Sequence, residues 1–234
     1  MKKMTRYLLI LVAVVVLWNT VIIRPLKIFT VFLHELGHAL MAVVFGHGIS
    51  GFRVNLNESG YTIAQSKGWF SSFMIANGGY LGSILFALLI IYLSRTGFKK
   101  YILGTVAIAL LAVTLRFSGP SFSLLYSVVF AVAVILLYMI QNERINEWVI
   151  DIIGISSIAY AVYDTFVDTI LLQINRFFHV IKGWNGSRHM TDAMQLAEMT
   201  KIPAIIWGII WLAIAFIAIN AVLLKTPKAY KGRK

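Results

Sequence analysis

The chain is built from long apolar runs separated by short polar breaks. Seven hydrophobic segments stand out, at about residues 7–23, 27–45, 69–93, 101–117, 121–140, 149–174 and 203–224. A run of about 18 or more apolar residues is long enough to cross a bilayer as a helix. Several segments are short or closely spaced, so the pattern predicts six to eight spans. Pro25 and Pro203 stand where helices start, and Gly119-Pro120 separates the fourth segment from the fifth. Two stretches break the helical pattern. Over residues 48–66 the chain alternates: Phe52, Val54 and Leu56 point one way and Arg53 and Asn55 the other. The turn residues Asn57-Glu58-Ser59-Gly60 follow, and Tyr61 and Ile63 resume the alternation, which predicts a short β-hairpin. Residues 175–202 read as a polar loop.

The fold class expected is an all-α, multi-pass membrane bundle of about six to eight helices, with the hairpin as its only β element. Composition supports this. The chain of 234 residues is 59% hydrophobic and only 13% charged, too apolar to stay in solution as a separate domain. It is therefore read as one membrane-embedded domain over residues 1–234, with an anchor helix within 1–25 and a basic tail at 225–234. The start, Met-Lys-Lys-Met-Thr-Arg before an apolar run, resembles a secretion signal. The run is long and lacks a small-x-small site before Asn19, so an uncleaved anchor is expected. The net charge of +12 does not point to nucleic acid, because the 21 Lys and Arg are scattered over loops and termini. The tail, with five of them, suits anionic lipid headgroups. With seven spans these charges divide almost evenly between the two faces, and orientation stays open. The absence of cysteine excludes disulfides, thiolate catalysis and cysteine metal sites. The six Trp are expected to be anchors at the membrane interface.

Within the second segment lies His34-Glu35-Leu36-Gly37-His38, the HExxH pattern. A helix turns 100° per residue, so His34 and His38 share a face and can grip one ion. Glu35 lies beside them, placed to take a proton from a water that the metal has acidified. A chance match in this composition is about two in a thousand. Zinc in a catalytic site takes three protein ligands and one open position. The soluble pattern with a third His six residues on fails, because residue 44 is Val. His47 falls on the opposite helix face, so the third ligand must come from another segment. Among the nine acids, only Glu35, Asp164 and Asp168 lie well inside hydrophobic runs, where ionisable groups are costly and tend to be functional. Asp164 and Asp168 are four apart on one helix face. One can bind the metal while the other orients a ligand or a water.

These residues resemble a known family. HELGHAL in an early hydrophobic segment, followed by a Gly-rich extended stretch, looks like the site-2-protease-like intramembrane zinc metallopeptidases, closest to the peptidase M-fifty-B-like group of bacteria and plants. That group also carries an aromatic-Gly-Tyr-Leu step, a Tyr-Asp helix and a Ser-Asp-Ala loop. Here they are Asn77-Gly78-Gly79-Tyr80-Leu81-Gly82, Tyr163-Asp164-Thr165-Phe166-Val167-Asp168 and Thr191-Asp192-Ala193. The resemblance covers about residues 30–215. The chain departs from the better-known members in lacking a Leu-Asp-Gly tripeptide, and it carries Thr191 in place of the family's Ser.

The resemblance implies a zinc metalloprotease of the cell membrane. His34, His38 and, by position, Asp164 would hold Zn²⁺, and Asp168 would be a supporting carboxylate or the rival ligand. Glu35 would be the general base, and the substrate would be a membrane-anchored protein cut within or near its span. The alternative class is a non-proteolytic transporter or regulatory scaffold that retains the metal site. Asn77 is expected either to donate to an oxyanion or to bond between helices. Asp192, in the family's loop motif, is expected to cap a helix with Gln195 three residues on. Gly78, Gly79 and Gly82 are expected to allow close helix packing. His179 and His189 carry no assignment.

Overall fold

The computed structural model describes residues 3–180 and 190–224; the basic tail and His189 lie outside the described residues. Helix α1 (Lys3–Val16) is followed by turns over 17–23 and by α2 (Arg24–Phe45). Strands β1 (Ile49–Val54) and β2 (Gly60–Ala64) come next, then α3 (Trp69–Leu93), α4 (Ile102–Phe117) and α5 (Phe122–Met139). A continuous helical run then carries α6 (Glu143–Thr165), a π-helical turn (Phe166–Leu171) and α7 (Leu172–Phe178). The short α8 (Asp192–Thr200) and α9 (Ala204–Leu224) complete the described chain.

Among the described residues, six helical stretches are long and apolar enough to cross a membrane: α2, α3, Lys99–Phe117, α5, Glu143–Phe178 and α9. The protein is a multi-pass helical membrane protein. The first apolar segment behaves differently from the other six. Its helix has 14 residues, about 21 Å of rise, and stops at Val16. That is short of the roughly 30 Å of a hydrocarbon core. The polar pair Asn19-Thr20 lets the chain turn, with Thr20 Oγ1 bonded to the Leu17 carbonyl at 2.7 Å.

The helices that carry the site meet closely because of glycine. A Cβ on Gly37 of α2 would run into the Gly78 carbonyl and the Gly82 Cα of α3, and one on Gly78 would meet the Gly37 carbonyl. Small residues at a crossing let two backbones touch in a membrane, where no hydrophobic force drives helices together.

The hairpin forms where the alternation places it. β1 and β2 pair antiparallel, with Phe52 opposite Thr62 and Val54 opposite Gly60. Phe52 and Val54 are buried among α2, α4 and α5, and Arg53 is exposed. Leu56 does not continue the inward face; it sits in the turn, exposed. The outer edge of β1 is closed by side chains. Ser118 Oγ donates to the Phe52 carbonyl at 2.7 Å, and Ser123 Oγ accepts from Val54 N at 2.7 Å while donating to Val54 O at 2.9 Å. No strand other than β1 pairs with β2 among the described residues.

Two threonines bond backwards at the π turn, Thr165 just before it to Ala161 O at 2.7 Å and Thr169 within it to Thr165 O at 2.5 Å. Such bonds compete with the helical ladder and bend it, and π turns collect at functional sites. α8 lies inside the stretch read as a polar loop, where the expected cap at Asp192 was the one sign of a helix. It forms because Ala193 and Leu196, three residues apart, bury one face against Ala76 and Tyr80 of α3 and Trp207 and Trp211 of α9. Trp207 and Trp211 are therefore core residues here, not interface anchors; Trp211 is only 1% exposed.

Candidate metal centre

His34 and His38 face α3 and α8 from the middle of α2. His38 Nδ1 donates to the Ile75 carbonyl at 2.7 Å, which fixes the tautomer and leaves Nε2 with a free lone pair. The two Nε2 atoms lie 3.1 Å apart. Asp192, the first residue of α8, brings its Oδ2 to 3.2 Å from His34 Nε2 and 3.1 Å from His38 Nε2. Among the described residues, His34, His38 and Asp192 are the group of ligand-type side chains that converges on one point. Burial alone would push the Asp192 carboxyl up; the facing imidazoles, when protonated, outweigh it and hold the group well below the usual carboxylate range. A carboxylate also suits the first turn of a helix, where the peptide dipoles favour negative charge.

The triangle fits a zinc ion. Two ligands each about 2.0–2.1 Å from zinc at the tetrahedral angle lie about 3.3 Å apart, close to the three edges of 3.1–3.2 Å. Asp192 Oδ2 is buried, and its polar neighbours among the described residues are these two nitrogens. Two imidazoles and a carboxylate are also the donor set that zinc accepts.

The backbone leaves room for the centre at Gly79, where a Cβ would press on both Nε2 atoms. Gly79 thus clears space for the imidazoles, while Gly78 and Gly82 serve helix packing as expected. Gly79→Ala is expected to cut zinc affinity at least about tenfold, the scale of defects in a metal site's supporting shell. Competition with a chelating dye measures this. Alanine favours a helix over glycine, so weaker helix formation would not explain such a loss. Wild-type affinity in the variant would show that the gap serves only packing.

Glu35 is 5% exposed and lies beneath β2. Its Oε2 accepts from Thr62 Oγ1 at 2.8 Å, and Gly60 permits the close approach, since a Cβ there would meet Glu35 Oε1. His34, Glu35, His38 and Asp192 all line one cavity of about 610 Å³. Asp164 and Asp168 line it too, with Thr62 of β2 and Ser66, Ser72, Thr191 and Gln195. These groups give water a polar environment within the bundle.

The expected site residues take these places. Asp164 does not approach the imidazoles: neither it nor Asp168 forms a contact within 4.0 Å of a His34 or His38 nitrogen, whereas Asp192 reaches both. Asp168 instead accepts a hydrogen bond from the Tyr80 hydroxyl at 3.1 Å. Asp192 is not a cap. Thr191 holds the cap position, without a capping side-chain bond, and the Asp192 carboxylate turns to the imidazoles. Asn77 bonds between helices: Oδ1 accepts from Trp211 Nε1 at 2.8 Å and Nδ2 donates to the Phe73 carbonyl at 2.9 Å. It is not among the residues lining the cavity. Elimination by burial in apolar runs passed over Asp192 because it sits in a polar loop. The signal that could have found it is the Ala193, Leu196, Ala197 spacing, which makes the residues after it an amphipathic helix.

A family model described as Peptidase M50B-like matches residues 7–222, a span that includes every residue of the site. No curated protein and no solved structure matches the chain.

Proposed function

The chain belongs to the peptidase M50B-like family, and from that premise we propose that it is a zinc endopeptidase that cuts membrane-anchored proteins within or near their spans. Peptidases of the wider family are generally zinc metalloproteases. The observation that carries the reading is the triangle of His34 Nε2, His38 Nε2 and Asp192 Oδ2 in one cavity with Glu35. His34, His38 and Asp192 hold the zinc. When bound, zinc acidifies a water and polarises the peptide carbonyl.

Glu35 takes a proton from the attacking water as its oxygen bonds to the carbonyl carbon. It then returns that proton to the amide nitrogen as the C–N bond breaks, and the second proton of the water passes from the new carboxyl group to the amine, leaving a carboxylate and an ammonium. Thr62 steadies one carboxylate oxygen of Glu35 for both transfers. The free edge of β2 borders the same cavity through Gly60, Tyr61, Thr62 and Ala64. A substrate segment unwound from its helix is held there by strand addition, which satisfies the backbone groups that unwinding frees. The site lies in the cell membrane, with lipid around the bundle.

The test uses purified protein in lipid vesicles with a set of single-span membrane proteins as probes. Cleavage in or beside a span is expected, with at least about a hundredfold loss on zinc removal by 1,10-phenanthroline and recovery on adding zinc. Cleavage that persists at full rate in metal-free protein contradicts the proposal.

A further inference from the structure

The two imidazoles of the centre are oriented by different means. His38 is fixed through Nδ1 by the Ile75 carbonyl. No hydrogen bond reaches His34 Nδ1 among the described residues, although a metal-binding His commonly needs a partner there to set its ring. What His34 has instead is Tyr80. The rings meet edge to face, with centroids 4.6 Å apart and planes at 85°. Tyr80 is 4% exposed and is held from two further directions. Its other neighbour is Trp211 of α9, stacked at 4.8 Å and itself tied to α3 through Asn77. Its hydroxyl donates to Asp168 Oδ2 in the π turn at 3.1 Å.

We propose that Tyr80 is the positioning residue for His34, and that Asp168 acts on the metal centre only through the Tyr80 hydroxyl. The inference rests on the reading of His34, His38 and Asp192 as a metal site. It accounts for an ionisable group at membrane depth that touches neither imidazole. The Asp168 carboxylate anchors the phenol, the phenol fixes the plane of His34, and the π turn places the carboxylate where the phenol can reach it. Trp211 prevents the ring from retreating. The arrangement replaces the usual hydrogen bond to the distal imidazole nitrogen with a ring wall anchored at its far end.

The test is spectroscopic and needs no turnover. Protein stripped of zinc is loaded with Co²⁺, whose visible bands report the geometry of its ligands. Wild type is compared with Tyr80→Phe, Asp168→Asn and the double variant. Tyr80→Phe keeps the ring and the Trp211 stack and removes only the hydroxyl. Both single variants are expected to shift the cobalt bands and to weaken metal affinity about tenfold. The double variant should be no worse than Tyr80→Phe alone, because both changes break one bond. Where cleavage can be measured, kcat falls and KM stays. Unchanged bands and affinity in folded Tyr80→Phe overturn the proposal, even if its melting temperature drops. Additive losses in the double variant also overturn it, since Asp168 would then act by a separate route. Failure of the metal-site reading shows itself differently: wild type would bind no cobalt with His34-dependent bands, and the inference would fall with it.

Discussion

Asp192→Ala is expected to abolish cleavage and weaken zinc binding at least about a hundredfold, while Asp164→Ala keeps zinc affinity within about threefold of wild type. The contrast follows from geometry. Asp192 Oδ2 completes a triangle with both Nε2 atoms at 3.1 and 3.2 Å, and Asp164 lies in the same cavity without reaching either ring. Removing the carboxylate leaves two imidazoles, too few for a catalytic zinc site, which takes three protein ligands. Zinc content per chain after equilibration with a chelator of known affinity gives both numbers. Zinc lost in the Asp164 variant and kept in the Asp192 variant would move the ligand role back to the sixth span.

Glu35→Gln is expected to lower the cleavage rate by about 10²–10⁴-fold, the usual contribution of a general base, with zinc content unchanged. The amide has nearly the shape of the carboxylate and can still meet Thr62, but it cannot accept the proton. Substrate should therefore remain bound, and the variant should capture membrane-anchored proteins that wild type releases as fragments. Comparing single-turnover rates at equal zinc occupancy measures the effect. A variant that cuts within about tenfold of wild type would remove Glu35 from the base role.

Much of the bundle is legible in the sequence, because hydrophobic length is a strong signal in a membrane and HExxH sets its own geometry on a helix. The hairpin was readable as well: Phe52 and Val54 alternate with Arg53 before a turn, and that is how the strand is buried. Tertiary packing of short elements hid the most important part, as α8 shows. α8 has only nine residues. Its helical state depends on docking Ala193 and Leu196 against α3 and α9, and a polar loop gives that docking little weight. The carboxylate that meets the imidazoles lies on that helix, at Asp192 and not at Asp164. At α1 the apolar segment is longer than its helix, which breaks at Val16 before the polar pair Asn19-Thr20. Trp207 and Trp211 were assigned to the interface from their type, and a buried partner for indole cannot be inferred from type. Tyr80 was visible only as a letter in a glycine-rich step, and its contacts with His34 and Asp168 join positions 46 and 88 residues apart.

The central claim is that one zinc ion sits between His34, His38 and Asp192. Zinc-edge X-ray absorption on purified, zinc-loaded protein tests it most directly, with wild type measured beside Asp192→Ala and Asp164→Ala. The account predicts one zinc with two nitrogen ligands at about 2.0–2.1 Å and carboxylate oxygen at about 2.0–2.2 Å. The spectrum should be unchanged in the Asp164 variant, and the four-coordinate signature lost in the Asp192 variant. A wild-type spectrum without imidazole scattering, or one that changes with Asp164 and not with Asp192, would contradict it.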